Sequence, residues 1–481
     1  MNDTSALPID LTLSFDTSPA GAALRWQADV LGARASELRL PLADADHALL
    51  LRALDVLQDP DYPLGWTAAQ QSLFAFSEGE RATLARIGLW DDAGHVRRDA
   101  PRRVGRLLYA AITADPRGAQ ALGTLRDHAA ALGRPLALSL CFPPEAASLA
   151  VLPWELLWDD GATPLLLSRG ATARCTRHLS LPTALPPPRP ADAGPLRILA
   201  VAPHAGIGPE LRQIERAARR AAWAPLVDGG LASVHEVSPA SRAALLGHLE
   251  RAEQPDVVHF FGHGRCEGGE GALLLDGPSG GEWVPAGVLA TLLGGARLVA
   301  LHACHGAAVD AAAPLGGLAA ALSAAGVPLV LAMQCSLRIT AAMRLGRAVY
   351  EALARGASVQ AAVGDARRAL FVEEPDGASW FVPALYVRSR DAGPAYLRLP
   401  EPAATLAAEA PRGPRQSVVA RGGGIVRGAS LHGAGSATQA VEADTRGQIA
   451  NTRLRARGDA QQSVAASDGG AVEDAELDDT A

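Results

Sequence analysis

Apolar residues in this chain repeat at two different spacings, and the change from one to the other predicts its elements. "IDLTLSF", Ile9 to Phe15, alternates apolar and polar positions as a strand does, while "ADHALLLRALDVLQ" (Ala45 to Gln58) and "RRVGRLLYAAI" (Arg102 to Ile112) repeat at helical spacing. Two further short runs, "PLALSLCF" and "PLLLSRG", read as strands, with "VLPWELLWDD" (Val151 to Asp160) between them. From Leu196 the pattern becomes regular. "LRILAVA", "DVVHFF", "RLVALHA" and "VPLVLAM" have strand length and are apolar on both faces; helical segments near 209–222, 240–252, 315–325 and 340–370 alternate with them. Strands without a polar face need cover on both sides, so the expected fold class is α/β: a mostly parallel sheet flanked by helices.

Breaks in this pattern divide the chain. "LPTALPPPRPADAGP", Leu181 to Pro195, holds six prolines in fifteen residues and predicts an extended connector, a natural place for processing or rearrangement. The expected organisation is an N-terminal α/β region over 1–180, a Pro-rich linker over 181–195, a catalytic domain over 196–400 and a separate segment over 411–481. In that last segment a glycine recurs after 11, 11, 12, 11 and 11 residues, from Gly413 through Gly424, Gly435, Gly447 and Gly458 to Gly469. Two readings stay open: a small β-solenoid of stacked strands, or a flexible Ala/Gly-rich tail.

Composition narrows the chemistry. All 44 basic residues are arginine, which rules out a Walker A lysine, a Schiff-base lysine or a Ser-Lys dyad. Residues 459–481 hold seven acidic residues and no arginine, equal to the entire formal charge of −7. The remainder balances to zero, so a nucleic-acid partner is not expected. No apolar run reaches the ~18 residues of a membrane span, and "MNDTSALPID" has no secretory character; the expectation is a cytoplasmic protein with no membrane partner. Five cysteines at irregular spacing point to thiols instead of a disulfide framework.

Two strand ends carry the candidate site. "DVVHFF" runs directly into Gly262-His263-Gly264, and "RLVALHA" into Cys304, His305 and Gly306. In an open parallel sheet, ligands gather at the carboxyl ends of strands. A cysteine and a histidine at neighbouring strand ends can meet without being close in sequence: the imidazole takes the thiol proton and later protonates the departing amine. Gly264 N–H and Cys304 N–H are the candidate oxyanion donors, and glycines flanking the histidine leave room for a substrate backbone. The rival reading gathers His263, Cys266, His302, Cys304 and His305 around zinc, but their spacing matches no standard zinc signature. "GPSGG", Gly277 to Gly281, has the form of a serine elbow, yet "GEWVP" follows where a helix is required, so it reads as a turn. His259 and His302 read as core histidines. In "WELLWDD" the tryptophans read as packing residues, and Glu155 with Asp159 is not taken as a catalytic pair.

The runs "LPWELLWDDGATPLLLSRG", "VVHFFGHG", "LVALHACHGA" and "GLAAALSAAGVPLVLAMQ", in this order, resemble the CHAT-domain family, a bacterial branch of the caspase-like cysteine peptidases. That resemblance spans about Ala150 to Arg388. It implies a caspase-type sheet, a dyad at His263 and Cys304, cysteine endopeptidase activity on a protein substrate, no cofactor and no metal, and a setting in regulated bacterial pathways including defence. Two positions depart from the pattern: His302 stands where a sister group has an aspartate, and Cys335 where relatives often have tryptophan. The alternative is a catalytically silent caspase-like scaffold. In either case a regulatory partner or self-assembly through the C-terminal segment is expected, with the acidic terminus capping the stack.

Overall fold

The computed structural model describes residues 8–399 except 19–20, 169–170, 182–183, 191–192, 252–253, 268–269, 304–316, 375–376, 389–395 and 398, together with the strands lying within 415–479. Contacts divide the chain into two compact units, Met1–Pro400 and Glu401–Ala481.

In the first unit, β1 (Ile9–Ser18) opens an antiparallel meander with β2 (Gly21–Ala28) and β3 (Gly32–Leu38). Neither β2 nor β3 was expected, because their residues are mostly small or charged and half exposed. After helices His47–Asp55, Ala100–Thr113 and Pro116–Leu132 the chain returns as β4 (Leu136–Phe142), parallel to β1. Stacked rings of Phe15 and Phe142, with centroids 4.7 Å apart, pack under Trp154. The run "PLLLSRG" corrects the sequence reading. Pro164 is followed by a single 3-10 turn, Leu165–Leu167, and the strand comes later as β5 (Ala171–Leu179). A four-residue apolar run can be buried equally well as one turn or as a strand, so periodicity could not separate them.

Beyond the connector follow β6 (Leu196–Val201), β7 (Ala232–Val237), β8 (Val257–Gly262), the small antiparallel sheet β9 (Gly264–Glu267), β10 (Glu270–Leu275) and β11 (Glu282–Pro285), then β12 (Leu298–Ala303), β13 (Leu329–Met333) and β14 (Pro383–Val387). One eleven-stranded sheet runs β3-β2-β1-β4-β5-β14-β13-β12-β8-β6-β7. It is parallel from β1 through β14 and again from β13 through β7, and the two blocks meet antiparallel at β13 and β14. The sheet therefore continues across residues 181–195, which divide the chain in sequence but not in space. Within that connector Arg189 is buried: its Nε donates to Asp256 Oδ1 at 3.1 Å and its Nη2 to the carbonyls of Gly194 and Pro195.

A second inner network ties the two blocks together. Glu155, fully buried, accepts from Arg177 of β5, and Gln334 just after β13 donates to Glu155 Oε2 at 3.0 Å and accepts from Arg177 Nη2 at 2.7 Å. Burial pushes the Glu155 carboxyl up, but Arg177, with Arg367 behind it, outweighs burial and holds it below the ordinary range. Trp154 and Trp158 are buried as expected, whereas Asp159 pairs with Arg126 nearer the surface.

In the second unit, β15 (Arg415–Ala420), β18 (Thr438–Ala443) and β20 (Gln461–Ala466) stack in parallel. So do β16 (Ile425–Arg427) and β17 (Ser430–Ala434) on β19 (Gln448–Arg457), and β19 on β21 (Ala471–Asp479). Arg415 pairs with Thr438 and Thr438 with Gln461, each partner 23 positions along, or two glycine intervals. Of the two sequence readings, the β-solenoid is the one the described strands form.

Candidate active site

β8 and β12 lie side by side and parallel, with His302 opposite Phe261 and Ala303 opposite Gly262. Both are buried on both faces until they end, each with one histidine, His259 and His302, among its apolar residues. At the end of β8 the chain leaves the core and His263 is exposed between β8 and β9. Cys304, which follows Ala303 in sequence, falls with His305 among residues 304–316, outside the described residues. Gly264 opens β9 and pairs with Leu273 of β10.

The orientation of His263 is set by one contact. Its Nε2 lies 3.1 Å from the carbonyl oxygen of Gly206, on the loop after β6. A carbonyl can only accept, so Nε2 carries the hydrogen and, in the neutral ring, Nδ1 keeps its lone pair. That is the tautomer of a base working through Nδ1. Gly206 has φ +74°, and a Cβ there would sit 2.8 Å from His263 Cδ2 and 2.9 Å from Nε2, so any other residue would be strained and would displace the imidazole. Asp276, at the end of β10, fixes this loop: one carboxylate oxygen accepts from His204 N–H (2.7 Å) and Ala205 N–H (3.0 Å), the other from Ala240 N–H (2.9 Å). Leu274 N–H donates to the His263 carbonyl at 3.0 Å, so the small sheet holds the histidine from its other side.

Gly262 was expected to be small for the sake of substrate. Inside the fold a Cβ there would lie 2.9 Å from the Phe260 ring, so packing already demands glycine. "GPSGG" forms the turn between β10 and β11, as its proline implied.

Beneath the strand ends lies a buried group of titratable residues. His259 Nδ1 is 2.9 Å from the Tyr350 hydroxyl, and its ring meets those of His302 and Trp223 with centroids 4.5 and 5.3 Å away. Burial, then the neighbouring His302 and Arg219, hold His259 well below the usual imidazole range; burial lowers His302 to about 4. Glu215 is raised to about 7 by burial, against the pull of Arg219. These residues line a cavity of about 20 Å³, and Glu215, Arg219 and Phe261 also border a cleft of about 240 Å³ beside the His204–Ile207 loop.

His302 thus lies in the core, where its ring would touch a Cβ at position 346, whereas His263 faces the Gly206 loop. No group of three or more His, Cys, Asp or Glu among the described residues could hold a metal ion. Cys335 is fully buried, with its thiol 3.7 Å from the Leu51 carbonyl; Cys175 is raised to about 12 by burial first and by Glu155 second; Cys266 is half-buried on β9. Asp276 and Gly206 are the positioning residues that sequence reading missed.

The fold is α/β: a mostly parallel sheet flanked by helices, with a histidine leaving one central strand beside the end of the next. The family model described as the CHAT domain matches residues 102–391, more than half of the chain, and the chain belongs to that family. No curated protein matches it. Among solved structures it is similar to separase in the Saccharomyces cerevisiae separase-securin complex, at 12% identity and TM-score 0.42, over 79% of this chain and 30% of that one. It is similar also to the Arg-specific cysteine proteinase gingipain R, at 12% identity and TM-score 0.35, over 59% of this chain and 69% of that one. The chain thus spans under a third of the separase chain's length. No described helix is long and apolar enough to cross a membrane.

Proposed function

We propose that this protein is a cysteine endopeptidase that cuts a protein partner in a regulated pathway, with Cys304 as nucleophile and His263 as base. The observation that supports this reading is the register of β8 and β12: Gly262 and Ala303 are paired, and the next residues in sequence are His263 and Cys304. Nδ1 of His263 takes the thiol proton as sulfur attacks the scissile carbonyl, while Gly264 N–H and Cys304 N–H receive the oxyanion. Collapse of the tetrahedral adduct breaks the C–N bond, and the imidazolium gives its proton to the departing amine. Water, deprotonated at Nδ1, then hydrolyses the thioester and restores the thiol. A cofactor has no step to perform in this sequence, and the defence setting carries over from the resemblance alone.

The test uses a peptide library and the full-length protein. Cys304→Ala should abolish cleavage, and His263→Ala should reduce it by about 10²-fold or more, both with unchanged thermal unfolding. Full cleavage by Cys304→Ala together with its loss in Cys266→Ala would move the nucleophile to β9. Stoichiometric zinc in the purified protein, with inactivation on its removal, would replace the dyad by a metal site.

A further inference from the structure

The solenoid has two unlike ends. Strands of its first coil, β15, β16 and β17, carry Arg415, Arg427 and His432 and no acidic residue; β21 in the last coil carries Glu473, Asp474, Glu476, Asp478 and Asp479 and no basic one. Among the described residues, β15, β16 and β17 pair with the second coil alone, and so do β20 and β21. Both ends therefore present strand edges that a further parallel coil would continue.

Register says which residues would meet. Column by column, Arg427 pairs with Ala450 and Ala450 with Glu473; His432 pairs with Arg455 and Arg455 with Asp478. The chain already stacks opposite charges in this way, with Arg453 opposite Glu476 and Arg455 opposite Asp478. Continued by one coil, the same register sets Glu473 of one copy opposite Arg427 of the next, and Asp478 opposite His432.

We infer that the C-terminal unit assembles head to tail with further copies of this chain, the acidic last coil of one docking on the basic first coil of the next. Such an interface joins two different surfaces, so it does not close at two copies but propagates. The acidic terminus is then half of a joint, not a cap. Opposite charges in neighbouring strands make the joint sensitive to salt.

In the Arg427–Ala450–Glu473 column the register sets neither charged residue opposite another charged residue among the described strands, which makes the test separable from folding. Full-length protein is followed by sedimentation and light scattering at low and high salt, with far-ultraviolet circular dichroism confirming the fold. Wild type should form open-ended assemblies with rising concentration and lose them in salt. Glu473→Arg alone and Arg427→Glu alone each bring like charges to the joint and should raise the concentration needed by about tenfold. Mixed together, the two variants should assemble again, because each then finds the opposite charge on its neighbour. The inference is overturned if wild type stays monomeric, if assembly stops at two copies, if either variant assembles as wild type does, or if the folded variants fail to restore one another when mixed.

Discussion

His263 and Gly206 constrain each other across 57 residues of sequence. Alanine at 206 would have to adopt φ +74° and place a Cβ against the imidazole, so Gly206→Ala is expected to lower turnover by about 10²-fold or more at a stability cost of about 1–2 kcal/mol for the left-handed backbone. Asp276→Ala should combine lost activity with a stability cost of about 1–3 kcal/mol, since three backbone donors lose their acceptor. Both are checked by kcat/KM alongside thermal unfolding. Gly-His-Gly was legible in the sequence because glycine breaks a fully apolar run at one point and leaves a histidine on display. Its partners were not. "APHAGIG" reads as a loop with no chemistry, and the aspartate ending "ALLLD" has nothing local to show that its carboxylate reaches the turn after β6.

β6, β8, β12 and β13, buried on both faces, were visible, whereas β2, β3 and β7 lie toward the sheet's outer margins, where small and charged residues suffice, and were not; the central β14 was missed too, because its five buried residues are too short a run to stand apart from the helix before them. The pairing of β8 with β12 also has a consequence for acid stability. It brings His259 and His302 together in the core, and His302 has a folded value of about 4 against an ordinary 6.5. Between those limits the unfolded chain binds a proton that the folded chain refuses, so stability is full above pH 6.5 and declines as pH falls toward 4. Glu215, raised to about 7, acts in the opposite sense, because the folded chain keeps a proton that the unfolded chain releases. Two histidines outweigh one carboxyl, and the unfolding temperature should climb from pH 4 to 6.5. His302→Gln should flatten that climb; an unchanged slope would place the acid lability elsewhere.

Across the whole molecule, the α/β class and the glycine period could be read directly, but not the way β13 and β14 join two oppositely running blocks into one sheet. Hydrophobic pattern reports that a strand is buried and says nothing of its neighbour's direction. The doubling of an 11- or 12-residue glycine interval into a 23-residue coil was hidden for a related reason, since each coil contributes to two separate stacks. The continuity of the large sheet changes what a cut in the connector would mean. β5 precedes residues 181–195 and β14 follows them, yet the two strands are neighbours. Glu155 and Arg177 on one side of the connector are locked to Gln334 on the other. A protease nicking this segment would yield two bands on a denaturing gel and a single species on a sizing column, its halves parting only in denaturant. Scission there would cut a tether without freeing a domain, and any activation it brought would come from slack in the Arg189 turn, not from the departure of a fragment.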